Sequence, residues 1–225
     1  MAQEWFGRLI VLLSSFMNHM TQAKEGVYDR LNSYRDWPYM KVAVFCGSSA
    51  GHDAVYASET KRLGHFLGEN NIDLVYGGGK TGLMGVVSDA VLEAGGRAFG
   101  VMPKYLVDKE IAHPGLTELS VVEDMHERKA KMAELADAFV ALPGGAGTLE
   151  EIFEAWTWAQ LGHHQKPCAF YNTQGFYDPL FEMITTMNEA GFLKDVFANM
   201  IIKTTEPDDL IAQFKVYQAP PQKWG

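Results

Sequence analysis

From Lys41 onward the chain alternates short apolar runs with longer amphipathic segments, and few architectures accept that pattern. The spacing predicts strands at 41–46, 72–76, 97–102, 118–122, 138–142, 167–171 and 200–203. It predicts helices at 53–69, 82–94, 124–136, 148–161, 176–190 and 207–217. Such alternation builds βαβ units, so the expected fold is a Rossmann-like, doubly wound α/β domain with a mostly parallel sheet flanked by helices. Ligands of that architecture bind beyond the carboxyl ends of the strands, which directs attention to the loops that follow them.

Three of those loops are glycine-bearing. Gly47-Ser48-Ser49-Ala50-Gly51 follows the first strand and offers hydroxyls and N–H groups. Gly77-Gly78-Gly79-Lys80-Thr81-Gly82 follows the second and formally matches G-x-G-x-x-G. That match is weak as a dinucleotide signal, because it lies in the second βα unit and the next strand ends in Met102-Pro103 without a ribose-binding acid. Nor is it a Walker A loop, which would need glycine where Leu74 stands.

The third loop is Pro143-Gly144-Gly145-Ala146-Gly147-Thr148-Leu149-Glu150-Glu151, between the apolar run Ala138–Leu142 and a helix with Leu149, Ile152, Phe153 and Trp156 on one face. Thr148-Leu149-Glu150-Glu151 fits a capping box, with Thr148 as N-cap and Glu151 at N3. A plain strand-to-helix turn needs only one permissive residue, however, and Gly144, Gly145 and Gly147 together let a backbone approach a ligand closely. The favoured reading is an anion cradle with a carboxylate beside it. Ser48, Gly78, Gly79 and Gly144 are candidate ligand contacts on the same grounds.

Between these loops lies Glu123-Asp124-Met125-His126-Glu127-Arg128-Lys129, at a strand end and a helix start. Cations near a helix's first turn oppose its dipole, so Arg128 and Lys129 serve helix stability poorly and face either solvent or an anion.

Residues 1–39 stand apart from this pattern. Leu9–Leu13 is apolar, but Ser14-Ser15 interrupts it, no small-residue cleavage site follows, and the run is too short to span a bilayer. Amphipathic helices are expected at 3–20 and 22–34, giving an N-terminal helical extension (1–39) and a Rossmann-like domain (40–225). A net charge of -9 disfavours nucleic acid and anionic membrane surfaces as partners. The two cysteines, Cys46 and Cys168, read as small core residues in a reducing cytoplasm, and scattered histidines give no metal site.

The Pro143–Glu151 stretch resembles the PGGxGTxxE signature of the LOG family, the cytokinin riboside 5'-monophosphate phosphoribohydrolases. Tyr76-Gly77-Gly78-Gly79, Gly82-Leu83-Met84-Gly85 and Met125-His126-Glu127-Arg128-Lys129 resemble that family's other motifs in the same order. The resemblance implies a cytoplasmic homo-oligomer, a dimer or larger, that hydrolyses the N-glycosidic bond of a purine nucleoside 5'-monophosphate and needs no cofactor. It implies Arg128 and Glu151 as the catalytic pair, with Lys129, the segment Gly145, Ala146, Gly147, Thr148, Leu149 and Glu150, and also Glu110 and Thr157 as substrate contacts. The alternative is a non-catalytic nucleotide or cofactor carrier of the same fold. A lysine decarboxylase, a label also used for such sequences, would need a lysine for pyridoxal phosphate, and neither Lys80 nor Lys129 has an evident partner for the pyridinium nitrogen.

Overall fold

The computed structural model describes residues 39–109 and 111–223. The helices expected at 3–20 and 22–34, and Glu110, lie outside the described residues. The strands are β1 (Lys41–Phe45), β2 (Asp73–Tyr76), β3 (Ala98–Pro103), β4 (Glu118–Val122), β5 (Ala138–Ala141), β6 (Cys168–Tyr171) and β7 (Ile201–Thr204). The helices are α1 (Ala54–Glu69), α2 (Gly82–Glu93), α3 (Lys104–Val107), α4 (Met125–Leu135), α5 (Ala146–Leu161), α6 (Asp178–Glu189), α7 (Asp195–Ala198) and α8 (Pro207–Val216).

The strands form one seven-stranded sheet in the order β4-β3-β2-β1-β5-β6-β7, and every ladder is parallel. Strands β2, β3, β5 and β6 are buried at every residue, and β1 at all but Lys41, because helices cover both faces. On one face Ala43, Phe45, Val75, Val101, Phe139 and Phe170 pack with Met132 of α4 and Ile152 and Trp156 of α5. Strand side chains alternate between faces, so Val42, Val44 and Leu74 point the other way, toward the side where α1 packs on α2 and α8. There the α1–α2 approach is close enough that a Cβ on Gly64 would lie 2.6 Å from the Ala90 Cβ.

The chain winds outward from β1 to β4 and then returns to place β5 beside β1. The crevice at the carboxyl ends of β1 and β5 is therefore the topological switch point. The Gly47 loop and the Pro143 loop meet there, and Gly47 N–H donates to Pro143 O at 3.1 Å.

The helix start that bears most on the site differs from expectation. Helix α5 begins at Ala146 rather than 148, with Gly145 as an N-cap that makes no side-chain bond. Thr148 consequently sits inside the first turn, 4% exposed, packed so tightly on Gly144 that a Cβ there would lie 2.1 Å from Thr148 Oγ1. The Thr148–Glu151 capping box is not formed, which leaves the Glu151 carboxylate free for another partner. The capping device lies instead at α4: Asp124 accepts from the N–H groups of His126 and Glu127 at 2.8 and 2.9 Å, while Glu127 accepts from Glu123 N–H at 2.9 Å. These carboxylates offset the unfavourable placement of Arg128 and Lys129 near the positive end of that helix.

Candidate active site

Arg128 and Glu151 belong to helices that follow neighbouring excursions of the chain, α4 after β4 and α5 after β5. The two side chains meet at the carboxyl edge of the sheet, with Arg128 Nη1 3.2 Å from Glu151 Oε1 and each side chain 12% exposed. Arg128 is fixed from behind, since its Nε donates to Val101 O of β3 at 3.1 Å. Gly77 gives the guanidinium its room: a Cβ at that position would lie 2.0 Å from Arg128 Nη2.

The pair opens into a cleft of about 400 Å³. One wall is the start of α5, where Gly145, Ala146, Gly147 and Thr148 line the space together with Glu150. Nothing lies within 4 Å of a Cβ built on Gly145 or Gly147, so no protein neighbour demands glycine at either position. The space they leave open fronts the positive end of a long helix, where backbone N–H groups lack intrahelical partners. Gly47 and Ser48 from the first loop and Gly77 and Gly79 from the second complete the polar lining.

The opposite wall is apolar. Met84, Met102, Leu106, Ile111 and Met125 line it, and none of them was picked out as a site residue by the motif reading. Their signal was positional: Met84 lies in the first turn of α2, Met102 near the end of β3, and Met125 at the first residue of α4. Leu106 comes from α3, a four-residue helix too short to leave a periodic trace in sequence. Methionine gives such a wall a flexible, polarisable surface.

Burial pushes the Glu151 carboxyl above its ordinary range; Arg128 pulls in the opposite direction, and Glu150 adds to the rise. A carboxylate that is costly to keep charged, held beside a fixed cation, is responsive to a positive charge developing nearby.

Not every residue singled out from sequence meets this cleft. Gly78 is buried beneath the loop, where its φ of +78° requires glycine. Leu149 packs against the core. Gly144 lines an adjoining cavity of about 290 Å³, bounded by Ser48, Ser49, Tyr56, Leu83 and Phe176. Lys129 is engaged by the carboxylates of Glu150 at 2.5 Å and Glu154 at 3.0 Å, and Thr157 is exposed farther along α5; neither is among the residues that line the cleft.

A family model described as possible lysine decarboxylase matches residues 84–214. Cytokinin riboside 5'-monophosphate phosphoribohydrolase LOG7 of Arabidopsis thaliana is 45% identical over 180 residues, which is 80% of this chain and 83% of that protein. A probable enzyme of the same description, LOGL2 of Oryza sativa subsp. japonica, is 45% identical over 185 residues, 82% of this chain and 76% of that protein. The chain belongs to the LOG family. Two solved structures share the fold at lower identity: a molybdenum cofactor binding protein from Rippkaea orientalis (TM-score 0.61, 19% identity, 80% of this chain and 98% of that one) and a molybdenum cofactor carrier protein from Chlamydomonas reinhardtii (TM-score 0.59, 20%, 79% and 96%). Within the LOG family fold, the glycine loops, Arg128 and Glu151 of this chain come together at one sheet edge.

Proposed function

We propose that this protein hydrolyses the N-glycosidic bond of a cytokinin riboside 5'-monophosphate or of AMP, releasing the free base and ribose 5-phosphate. The observation that carries the reading is the buried Arg128–Glu151 pair, set between an anion-favouring helix start and an apolar wall. These parts match the substrate's own: a phosphate for the Gly145–Thr148 start of α5, a flat base for the methionine-rich wall, and the ribose between them at Glu151.

In the reaction water adds to ribose C1', the C1'–N bond breaks, and its electron pair leaves with the base, which takes up a proton. Positive charge builds on the sugar as the bond lengthens. Glu151 stabilises that charge and orients or deprotonates the water, while Arg128 holds the carboxylate in place and supplies positive charge toward the substrate's anionic groups.

Pyridoxal phosphate, suggested by the family description, does not fit these residues. Its Schiff base needs a lysine, and among the described residues no lysine lines the cleft, the Lys129 ammonium being tied to Glu150 and Glu154.

The reading also takes the protein as a cytoplasmic homo-oligomer. Thr157, exposed and outside the cleft of its own chain, fits a substrate contact only where another copy brings it close. Sedimentation of the purified protein tests this, and a monomer at assay concentration overturns it.

The activity is tested by incubating the full chain with AMP and with an N6-prenylated AMP, then quantifying free base and ribose 5-phosphate. Release of both in equal amounts is expected. Tight nucleotide binding without release would favour the carrier alternative.

A further inference from the structure

Between α3 and β4 the chain doubles back across the loop that follows β2. Lys80 N–H donates to Ile111 O at 3.2 Å, and His113 N–H donates to Gly78 O at 2.8 Å. Gly79 and Ala112 between them form an antiparallel bridge, in contrast to the parallel ladders of the sheet. This strap, residues 111–113, puts Ile111 on the cleft wall opposite the start of α5.

Two backbone hydrogen bonds are a weak fastening for a loop. His113 supplies more. Its side chain is 10% exposed, its Nε2 lies 2.9 Å from Asp89 Oδ1, and its Nδ1 accepts from Gly115 N–H at 3.1 Å. Because Nδ1 must accept from an amide, the ring proton belongs on Nε2, where it is donated to the carboxylate; the neutral ring satisfies both neighbours. Asp89 lies on α2, the helix that starts where the strapped loop ends. One imidazole therefore ties the strap both to its own following turn and to the helix rooted at the cleft.

We propose that His113 is a positioning residue, latched by Asp89, that holds Ile111 against the base-binding side of the cleft. The proposal rests on the hydrolase reading above. It touches no reacting atom, so its loss weakens substrate binding while the Arg128–Glu151 chemistry persists.

The test compares wild type with His113→Ala, Asp89→Ala and Asp89→Asn in the full chain. Asp89 is 62% exposed, so its variants keep the proposal testable if His113→Ala folds poorly. Hydrogen exchange at the backbone amides of positions 80 and 113 should quicken at least about tenfold in both alanine variants. KM for AMP should rise about tenfold with kcat within about twofold, the pattern of lost uniform binding. Asp89→Asn keeps an oxygen to accept Nε2–H and should stay close to wild type. An unchanged KM, equal losses in Asp89→Asn and Asp89→Ala, or a fall in kcat matched by a global loss of stability overturns the proposal. Should wild type release no base from AMP, the hydrolase reading fails separately; the latch is then decided by the exchange rates and by the AMP Kd from calorimetry, an unaltered Kd overturning it.

Discussion

Arg128 Nη1 stands 3.2 Å from Glu151 Oε1, with both side chains largely withdrawn from water. A pair so buried is a poor source of net stability, because desolvating both charges cancels much of their attraction. Its value lies in holding one charge ready beside another. The two residues are 23 apart in sequence (151 minus 128), and only the return of the chain from the sheet's edge to β5 brings their helices together.

Glu151→Gln should lose most turnover, at least about a hundredfold in kcat, while the protein stays folded and binds nucleotide. Glutamine fills the same space and can still accept from Arg128, but carries no charge. Since burial raises the Glu151 carboxyl, wild-type kcat/KM should fall on the acid side through a pKa above the ordinary value of about 4.3, and the variant should lack that limb. Near-normal activity in Glu151→Gln removes the carboxylate from the mechanism.

Gly77→Ala tests the seat of Arg128. The added methyl would overlap the guanidinium, which must leave its hydrogen bond to Val101 O and its pairing with Glu151. The expected result is a loss of about tenfold or more in kcat/KM with a lowered Tm but a retained cooperative thermal transition. Full activity would mean that Arg128 need not occupy its observed position.

Much of this was legible in sequence because strands buried on both faces leave short apolar runs, and each of the seven expected strands, the partly exposed β4 included, overlaps an observed one. The glycine loops were legible because close backbone approach allows few alternatives, as Gly77 against Arg128 and Gly82 against Ser48 illustrate. What escaped were features set by tertiary packing. The start of α5 moved to Ala146 because Thr148 is buried against Gly144 rather than turned outward to cap. The apolar wall escaped because Met84, Met102 and Met125 belong to separate elements, and a methionine at a helix start or strand end looks like core until the loops are assembled. The Lys129 contact with Glu150 and Glu154 likewise required knowing that α4 and α5 lie side by side.

Stability should fall between pH 6.5 and 4 partly through His164. Its ring packs on Phe139 with centroids 5.1 Å apart, its Nδ1 accepts from Lys166 N–H at 3.1 Å, and burial lowers its pKa from 6.5 to about 4, with Lys166 and His163 adding to the shift. The unfolded chain takes up a proton as pH drops through 6.5, and the folded protein resists until about 4. The stabilising contribution is therefore complete above 6.5 and lost across that window as pH falls. Denaturant melts of wild type and His164→Asn at several pH values check this: the variant should show a shallower loss between those limits. Parallel slopes would assign the acid sensitivity to other groups.

The 5'-phosphate should be required, AMP or a prenylated AMP being cleaved far better than the matching riboside. The Gly145–Thr148 start of α5 presents unpartnered N–H groups beside open space, and Ser48, Gly47 and Gly79 face the same cleft. A neutral sugar makes little use of such a lining, whereas each charge-assisted hydrogen bond to a phosphate is worth roughly 1.5–3 kcal/mol. Phosphate binding far from the breaking bond can also hold C1' against Glu151, so its loss should lower kcat as well as raise KM. A deficit of at least about a hundredfold in kcat/KM for adenosine relative to AMP follows if even two such bonds are lost. The comparison needs only the free-base assay run on both substrates at several concentrations. Comparable kcat/KM values would leave Glu151 its glycosidic chemistry but deny the α5 start its role as a phosphate cradle.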